Sequence, residues 1–322
     1  LEKTELMTLP LVIVNPASAD GATKENWPKI ASDLRTHFGA FSVAFTEGSG
    51  HGRQLAAEAA KQGTKLIIAC GGDGTISEVV NGILESNTET ELGVLPSGTG
   101  GDFRRTLRMP NNVAAAARAM REGRTRTIDA GRVTFINDTG ERESRFFINV
   151  ASFGMSTAVL DKTASGEAKK WIPGFAPRKL SSKLSYAAAT VQTTLSSTPI
   201  EVHVQLDERP ERRLRVAEFC VANARYYGGA MKIAPDAKLD DGHFDIITIG
   251  DASAFRILAN SPRLYFGAHL RMNEVTHALA KQVVARPVKK DEEVRVELDG
   301  EVLGRLPATF QIMPLALRVR CP

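Results

Sequence analysis

The sequence contains no Gly-Lys dipeptide, so the phosphate loop G-x-x-x-x-G-K-[ST] occurs nowhere in it. No G-x-G-x-x-G follows the first apolar run, which argues against an ordinary dinucleotide-binding fold. Cysteine is scarce. Cys70, Cys220 and Cys321 are odd in number, far apart and never in a C-x-x-C, a usage that suits a reducing cytosol and not a disulfide framework. Cys70 closes an apolar run and reads as a small core residue rather than a nucleophile. The six histidines have no ligand-like spacing, which argues against a zinc enzyme. No apolar run approaches a membrane span and no signal-peptide pattern opens the chain, so the expectation is a cytoplasmic protein. A formal net charge of +4 is too small to imply nucleic acid as a partner.

What is present is 322 residues, enough for two domains, with an ordinary globular balance of 43% hydrophobic and 24% charged residues. Two glycine-rich loops stand out, Gly71-Gly72-Asp73-Gly74-Thr75 and Ser97-Gly98-Thr99-Gly100-Gly101-Asp102. Each follows a short apolar run, Lys65–Cys70 and Leu92–Pro96. A strand that breaks into glycine bares backbone N–H groups, and phosphate is the ligand such arrays suit. Two of them about 25 residues apart suggest a polyphosphate held between neighbouring strand ends.

The first third alternates strand and helix. Leu11–Val14, Phe41–Phe45 and the run before Gly71 read as strands. Trp27, Ile30, Leu34 and Phe38 recur at helical spacing, Arg53–Lys61 is an alanine-rich helix, and a further helix spans Ile76 to about Leu84. This rhythm predicts a parallel sheet with helices on both faces, with ligands beyond the carboxyl ends of its strands, where Asn15, Thr46 and both glycine loops lie. After about residue 130 the pattern changes. Arg145–Val150, Ile200–Leu206, Leu214–Val221, Phe244–Ile249 and Val294–Leu298 read as strands, interrupted by helices over Ser182–Leu195 and Ala254–Leu258. The expected division is an α/β domain over 1–130 and a mainly antiparallel β domain over 131–322, with the boundary near Arg124–Ile128.

Several residues are chemically suggestive. Thr75-Ile76-Ser77-Glu78 has the form of a capping box, and a capped helix start would support an anion there. Asp73 among phosphate-cradling amides makes sense if it orients Mg²⁺ or a hydroxyl. Asp299-Gly300 is most simply a hairpin turn, and Glu301 after it becomes a candidate base if that turn folds over the nucleotide. Asp240-Asp241-Gly242 reads as a turn or as an oxygen-ligand site for a hard cation. The stretch Lys162–Lys183 carries six cations against Asp161 and Glu167, with Trp171, Ile172 and Phe175 interleaved; it is a solvated loop or a surface for an anionic membrane. Arg104 and Arg105 either counter phosphate charge or begin an exposed helix.

Taken together, the chain resembles the diacylglycerol-kinase catalytic domain family, which includes bacterial lipid kinases and the sphingosine and ceramide kinases. The resemblance runs through Asn15-Pro16, Gly71–Thr75 with Glu78 and Asn81, Pro96–Thr99, Asn149–Ala151 with Gly154, Lys183–Tyr186, Ala234-Pro235, Leu239–Gly242 and Leu298–Glu301. It implies that the second domain, over 131–322, is a β-sandwich, that the C-terminal tail can pack back onto the first, and that ATP lies in the nucleotide cleft between them, contacted by Asn15, Thr46, Gly71, Gly72, Asp73, Gly74, Thr75, Ser97, Gly98 and Thr99. It also implies Mg²⁺ on the Asp241 carboxylate and main-chain oxygens of Lys238 and His243. Glu301, or in some relatives the aspartate matching Asp73, is the implied proton acceptor, with Asp299 close to the γ-phosphate. The implied reaction is transfer to the hydroxyl of a diacylglycerol-like lipid, by a protein that docks peripherally on the inner membrane face.

Two departures stand out. Gly101 occupies a place where the family usually has Asn, and Ala19 follows Asn15-Pro16-Ala17-Ser18 where the family has Gly. Two other readings remain. A soluble-substrate kinase of the NAD kinase or phosphofructokinase type shares the first loop, but Asn273-Glu274 lies too far downstream for the NAD kinase pattern. A non-catalytic nucleotide- or lipid-binding regulator has only Gly101 in its favour.

Overall fold

A computed structural model of the chain describes residues 9–98, 100–164, 198–252, 254–289 and 291–322. Thr99, most of the basic stretch to Lys183 and the expected helix over Ser182–Leu195 lie outside the described residues.

Strands β1 (Leu11–Val14), β2 (Ser42–Phe45), β3 (Leu66–Gly71) and β4 (Glu91–Pro96) pair in parallel, in the order β2-β1-β3-β4. Val12–Val14, all of β3 and Glu91–Leu95 are buried, which is why their sequences are continuous apolar runs rather than alternating ones. Helices α1 (Ala22–His37) and α5 (Val113–Glu122) pack together, as do α2 (His51–Lys61) and α3 (Asp73–Ser86). The short α4 (Asp102–Thr106) follows the second glycine loop. Asn112 starts α5 by accepting the Ala115 N–H through its side chain.

Beyond this unit the pairing is antiparallel. The strands are β5 (Arg124–Ile136), β6 (Arg142–Phe147), β7 (Val150–Gly154), β8 (Ile200–Leu206), β9 (Arg212–Ala222), β10 (Phe244–Gly250), β11 (Val275–Ala280), β12 (Gln282–Pro287), β13 (Arg295–Leu298) and β14 (Glu301–Cys321). Helix α6 (Met155–Ala164) follows β7. One core gathers Val12–Val14, Ile67, Ile68, Phe103, Ile128, Ala130, Leu317 and Val319; a second gathers Val133, Phe153, Phe219, Phe244, Val296 and Phe310. β14 belongs to both, because it pairs antiparallel with β5 along its length and ends parallel to β4, with Arg318 opposite Glu91 and Val319 opposite Leu92.

Residues 124–128 open the 13-residue strand β5, which runs from the first core into the second. Two local expectations need correction. The stretch 145–150 is split between β6 and β7, because the amides of Ile148 and Asn149 turn to the Asp299 carboxylate. Thr75 is not a cap: α3 begins two residues earlier, with Gly72 at its N-cap and no side-chain cap there.

Candidate active site

The carboxyl ends of β1, β3 and β4 meet. Asn15, after β1, donates from Nδ2 to Thr75 Oγ1 at 3.0 Å and accepts the Ala17 N–H at 3.0 Å on Oδ1. Ser18 and Thr23, at the start of α1, reach the Ser97 carbonyl at 3.2 and 3.0 Å, and the Thr23 and Ser97 hydroxyls pair at 2.5 Å. Thr46, buried after β2, donates its N–H to the Val14 carbonyl at 2.9 Å. The loops after β3 and β4 press together at glycines. A Cβ on Gly98 would overlap Gly72 Cα, so only a residue without a side chain permits this approach.

Asp73 ties the same two loops. Its Oδ2 accepts Gly101 N–H at 2.7 Å, and its Oδ1 accepts Asp102 N–H at 3.0 Å and Phe103 N–H at 3.3 Å. The carboxylate therefore sits on the N-terminus of α4. Asp102 extends the tie to a distant segment, accepting Gly229 N–H at 2.9 Å and Ala230 N–H at 2.7 Å. Burial first, then the Asp73 charge, raises the Asp102 pKa. Where the family's Asn would project, a Cβ on Gly101 would come 3.1 Å from Arg104 Nε. Arg104 and Arg105 line a small cavity of about 90 Å³ with Gly71, Gly72, Gly98 and Gly100. A larger cavity of about 520 Å³ opens on the other side of Ser97, lined by Thr23, Asn26, Lys29, Gly98 and Asn112.

The β13–β14 turn faces these loops. Leu298 pairs with Glu301, leaving a two-residue turn with positive φ at Asp299 (49°) and Gly300 (94°), the backbone that Asp-Gly favours. Glu301 Oε1 lies 3.2 Å from where a Gly74 Cβ would stand. Glu301 is exposed, yet the protein around its carboxyl and, after that, the Glu78 charge raise its pKa. Asp299 turns inward and accepts N–H from Ile148, Asn149 and Val150 at 3.0, 2.8 and 3.2 Å. Desolvation pushes its pKa up to about 7 against those amides, and Asp73 adds to the rise. Glu78 accepts Gly50 N–H at 2.7 Å and Gly52 N–H at 2.9 Å, so it anchors the start of α2.

The loop around Asp241 is elsewhere. Its bonds run to Asp129, which accepts Gly242 N–H at 2.7 Å, and from Arg126 to Asp240 at 2.9 Å. Asp241 Oδ1 accepts His243 N–H at 3.1 Å. Burial raises the Asp245 pKa, His277 opposes the rise, and the Asp241 and Asp236 charges add to it. Excess carboxylate charge and an all-oxygen donor set fit a hard cation such as Mg²⁺. Among the described residues no group of three or more His, Cys, Asp or Glu side chains surrounds a metal position, so such an ion would depend on main-chain oxygens.

Comparison with known proteins decides the family. Residues 10–133 match the diacylglycerol kinase catalytic domain, and residues 174–321 match the YegS C-terminal NAD kinase beta sandwich-like domain. A diacylglycerol kinase of Mycobacterium tuberculosis is 31% identical, over 96% of this chain and 94% of its own. The chain belongs to the diacylglycerol kinase family. A Bacillus subtilis diacylglycerol kinase is 30% identical over 93% of this chain and 91% of its own. A crystal structure ascribed to a diacylglycerol kinase from Bacillus anthracis str. Sterne is similar, with a TM-score of 0.73 at 25% identity over 99% of both chains.

In this member of the family, the structure brings together Asn15, Gly71, Gly72, Asp73, Gly74, Thr75, Ser97, Gly98 and Glu301, while the Lys238–His243 loop makes none of these contacts among the described residues. Sequence reading missed Ser18, Thr23 and Asp102 as ties between loops. Asp102 had a visible signal, an aspartate directly after a glycine pair. Ser18 and Thr23 had none. Cys70 is buried and its thiol is pushed up to about 12 by burial, as befits a core residue.

Proposed function

We propose that this chain transfers the γ-phosphoryl group of ATP to the hydroxyl of a diacylglycerol-like lipid, with Glu301 as the proton acceptor. The observation that carries the reading is the contact of the two glycine loops at Gly72 and Gly98, with the Glu301 carboxyl reaching toward Gly74 from the other core. Amides at Gly71–Thr75 and Ser97–Gly98 cradle the phosphates. Asn15, Thr46 and Thr99 complete the nucleotide site, and the cavity beside Ser97 has room for a nucleoside. Arg104 and Arg105 add positive charge at the phosphate end.

Glu301 fits the base better than Asp73. Both Asp73 oxygens are engaged by amides, while Glu301 is exposed and has its pKa shifted toward neutrality, where a base works best. In this account Asp73 positions the loops and Asp299 fixes the turn beside the γ-phosphate. Mg²⁺ would be held by the Asp241 carboxylate and the main-chain oxygens of Lys238 and His243, where it would offset the carboxylate charge of Asp236, Asp241 and Asp245. The α/β unit of residues 1–130, with helices on both faces and the end of β14 returned to it, is the nucleotide domain. Residues from 131 onward form the lipid domain.

The acceptor resides in a membrane, and among the described residues no helix is long and apolar enough to cross one. In this reading the protein docks peripherally, on the cytoplasmic face. The basic, aromatic Lys162–Lys183 stretch supports this, as do Phe266 at 81% and Tyr265 at 49% exposure beside the exposed Arg263. The test is incubation with labelled ATP and mixed micelles of diacylglycerol, phosphatidylglycerol, sphingoid base or ceramide. Label in the diacylglycerol product supports the proposal. Label in none of these lipids, while a sugar or nucleotide offered in a parallel incubation is phosphorylated, contradicts it.

A further inference from the structure

A buried carboxylate that the reaction does not use lies under the turn carrying Glu301. β13 is irregular between Val296 and Glu297, and Glu297 is only 4% exposed. Its Oε1 accepts the Gly300 N–H at 2.9 Å and its Oε2 accepts the Ser152 hydroxyl at 2.5 Å. Ser152 stands opposite Glu297 on β7. Its hydroxyl lies 2.7 Å from that of Ser156, whose N–H goes to Glu218 at 2.8 Å. A carboxyl withdrawn from water this far persists only where its oxygens find donors, and here one donor is the turn itself. Burial raises the pKa of Glu297 against the pull of those donors.

Gly300 is the residue between Asp299, whose carboxylate is spent on the amides of Ile148, Asn149 and Val150 leading into β7, and Glu301, whose carboxyl faces the first glycine loop. The turn is thus gripped twice, from Asp299 outward and from Glu297 beneath. A general base must stand within hydrogen-bond reach of its proton, and a shift of about 1 Å can cost about 10²-fold in rate.

We propose that Glu297 is a positioning residue for Glu301: anchored on Ser152, it holds the Gly300 N–H and so aims Glu301 at the acceptor hydroxyl. The inference rests on the reading of Glu301 as the base. Among the described residues no hydrogen bond or ion pair joins the Glu297 side chain to either glycine loop, so its effect falls on turnover and not on ATP binding.

The experiment compares Glu297→Gln, Glu297→Ala, Ser152→Ala and Glu301→Ala in the micelle assay, with ATP and lipid varied separately and melting curves recorded. Glu297→Ala is expected to lower kcat by about 10- to 100-fold with the KM for ATP within about 2-fold. Glu297→Gln keeps an oxygen for Gly300 and a partner for Ser152, and should stay within about 3-fold of wild type. Ser152→Ala, which removes the anchor together with the Ser156 contact, should lower kcat by about 3- to 10-fold, again without moving the KM for ATP. It decides the matter if Glu297→Ala does not fold. Wild-type kcat in a folded Ser152→Ala or Glu297→Ala overturns the inference. So does a Gln variant as impaired as the Ala variant, or a loss confined to the KM for ATP. An active Glu301→Ala overturns the underlying base assignment instead, and an inactive one leaves that assignment standing whatever Glu297 does.

Discussion

Asp73 Oδ2 accepts the Gly101 N–H at 2.7 Å, so the side chain that begins the helix after one glycine loop caps the helix after the other. Removing that acceptor strands the first amides of α4. Asp73→Ala is expected to lose about 1–2 kcal/mol of stability, in the range of a lost N-cap. It should also raise the KM for ATP at least about 10-fold, since the loops it joins are those proposed to hold the nucleotide. Asp73→Asn keeps one acceptor oxygen and should fall between. Urea unfolding and initial-rate kinetics check both.

Gly98 makes a second, independent demand. Its missing side chain lets Gly72 Cα approach, and a methyl there forces backbone against backbone. Gly98→Ala is expected to open the loops and weaken ATP binding at least about 10-fold, with a stability loss of about 1–3 kcal/mol typical of overpacking. Isothermal titration of ATP into the variant reads the first effect. Unchanged affinity would mean that the close contact has no part in holding the nucleotide.

Glu78 links the stability of α2 to the chemistry. Its charge helps to raise the Glu301 pKa, because like charges disfavour ionisation. Glu78→Gln removes that charge and lowers the Glu301 pKa. A base acts when deprotonated, so the acid limb of the pH–kcat/KM profile should move to lower pH. A limb that moved upward would contradict the assignment of Glu301.

Glu218 gives stability a pH dependence of definite sign. Burial pushes its pKa up from 4.5 to about 8 in the fold. Between those values the folded state keeps a proton that the unfolded chain has released. This contribution is fully present below about pH 4.5 and lost as pH rises through about 8, with a slope of up to about 1.4 kcal/mol per pH unit. Glu218→Gln should flatten the fall in melting temperature between pH 5 and 8, an interval inside that window.

Much of the fold is legible because the buried strands β1 and β3 are unbroken apolar runs and because Asp241-Gly242 and Asp299-Gly300 mark turns. β5 is less so. Arg124, Arg126 and Arg132 give it a polar surface, and besides β6 it pairs with β14, 169 to 197 residues away, so no local pattern announces that pairing. At the site, the glycines and Glu301 are visible from their order alone. The ties from Ser18 and Thr23 to Ser97, or from Asp102 to Gly229 and Ala230, are not, since hydrogen bonds across 74 to 128 positions leave no local periodicity. Asp73 is the instructive case. Its residue type suggested chemistry, and its geometry assigns both oxygens to backbone amides.

The central claim is that the paired glycine loops hold ATP while Glu301 takes the proton of a lipid hydroxyl. The most direct measurement is ATP binding and lipid phosphorylation in the same preparation of Glu301→Gln. The account predicts ATP affinity within about 3-fold of wild type and turnover reduced by about 10²- to 10⁴-fold, the range for loss of a general base. Wild-type turnover in a variant that binds ATP normally would contradict it.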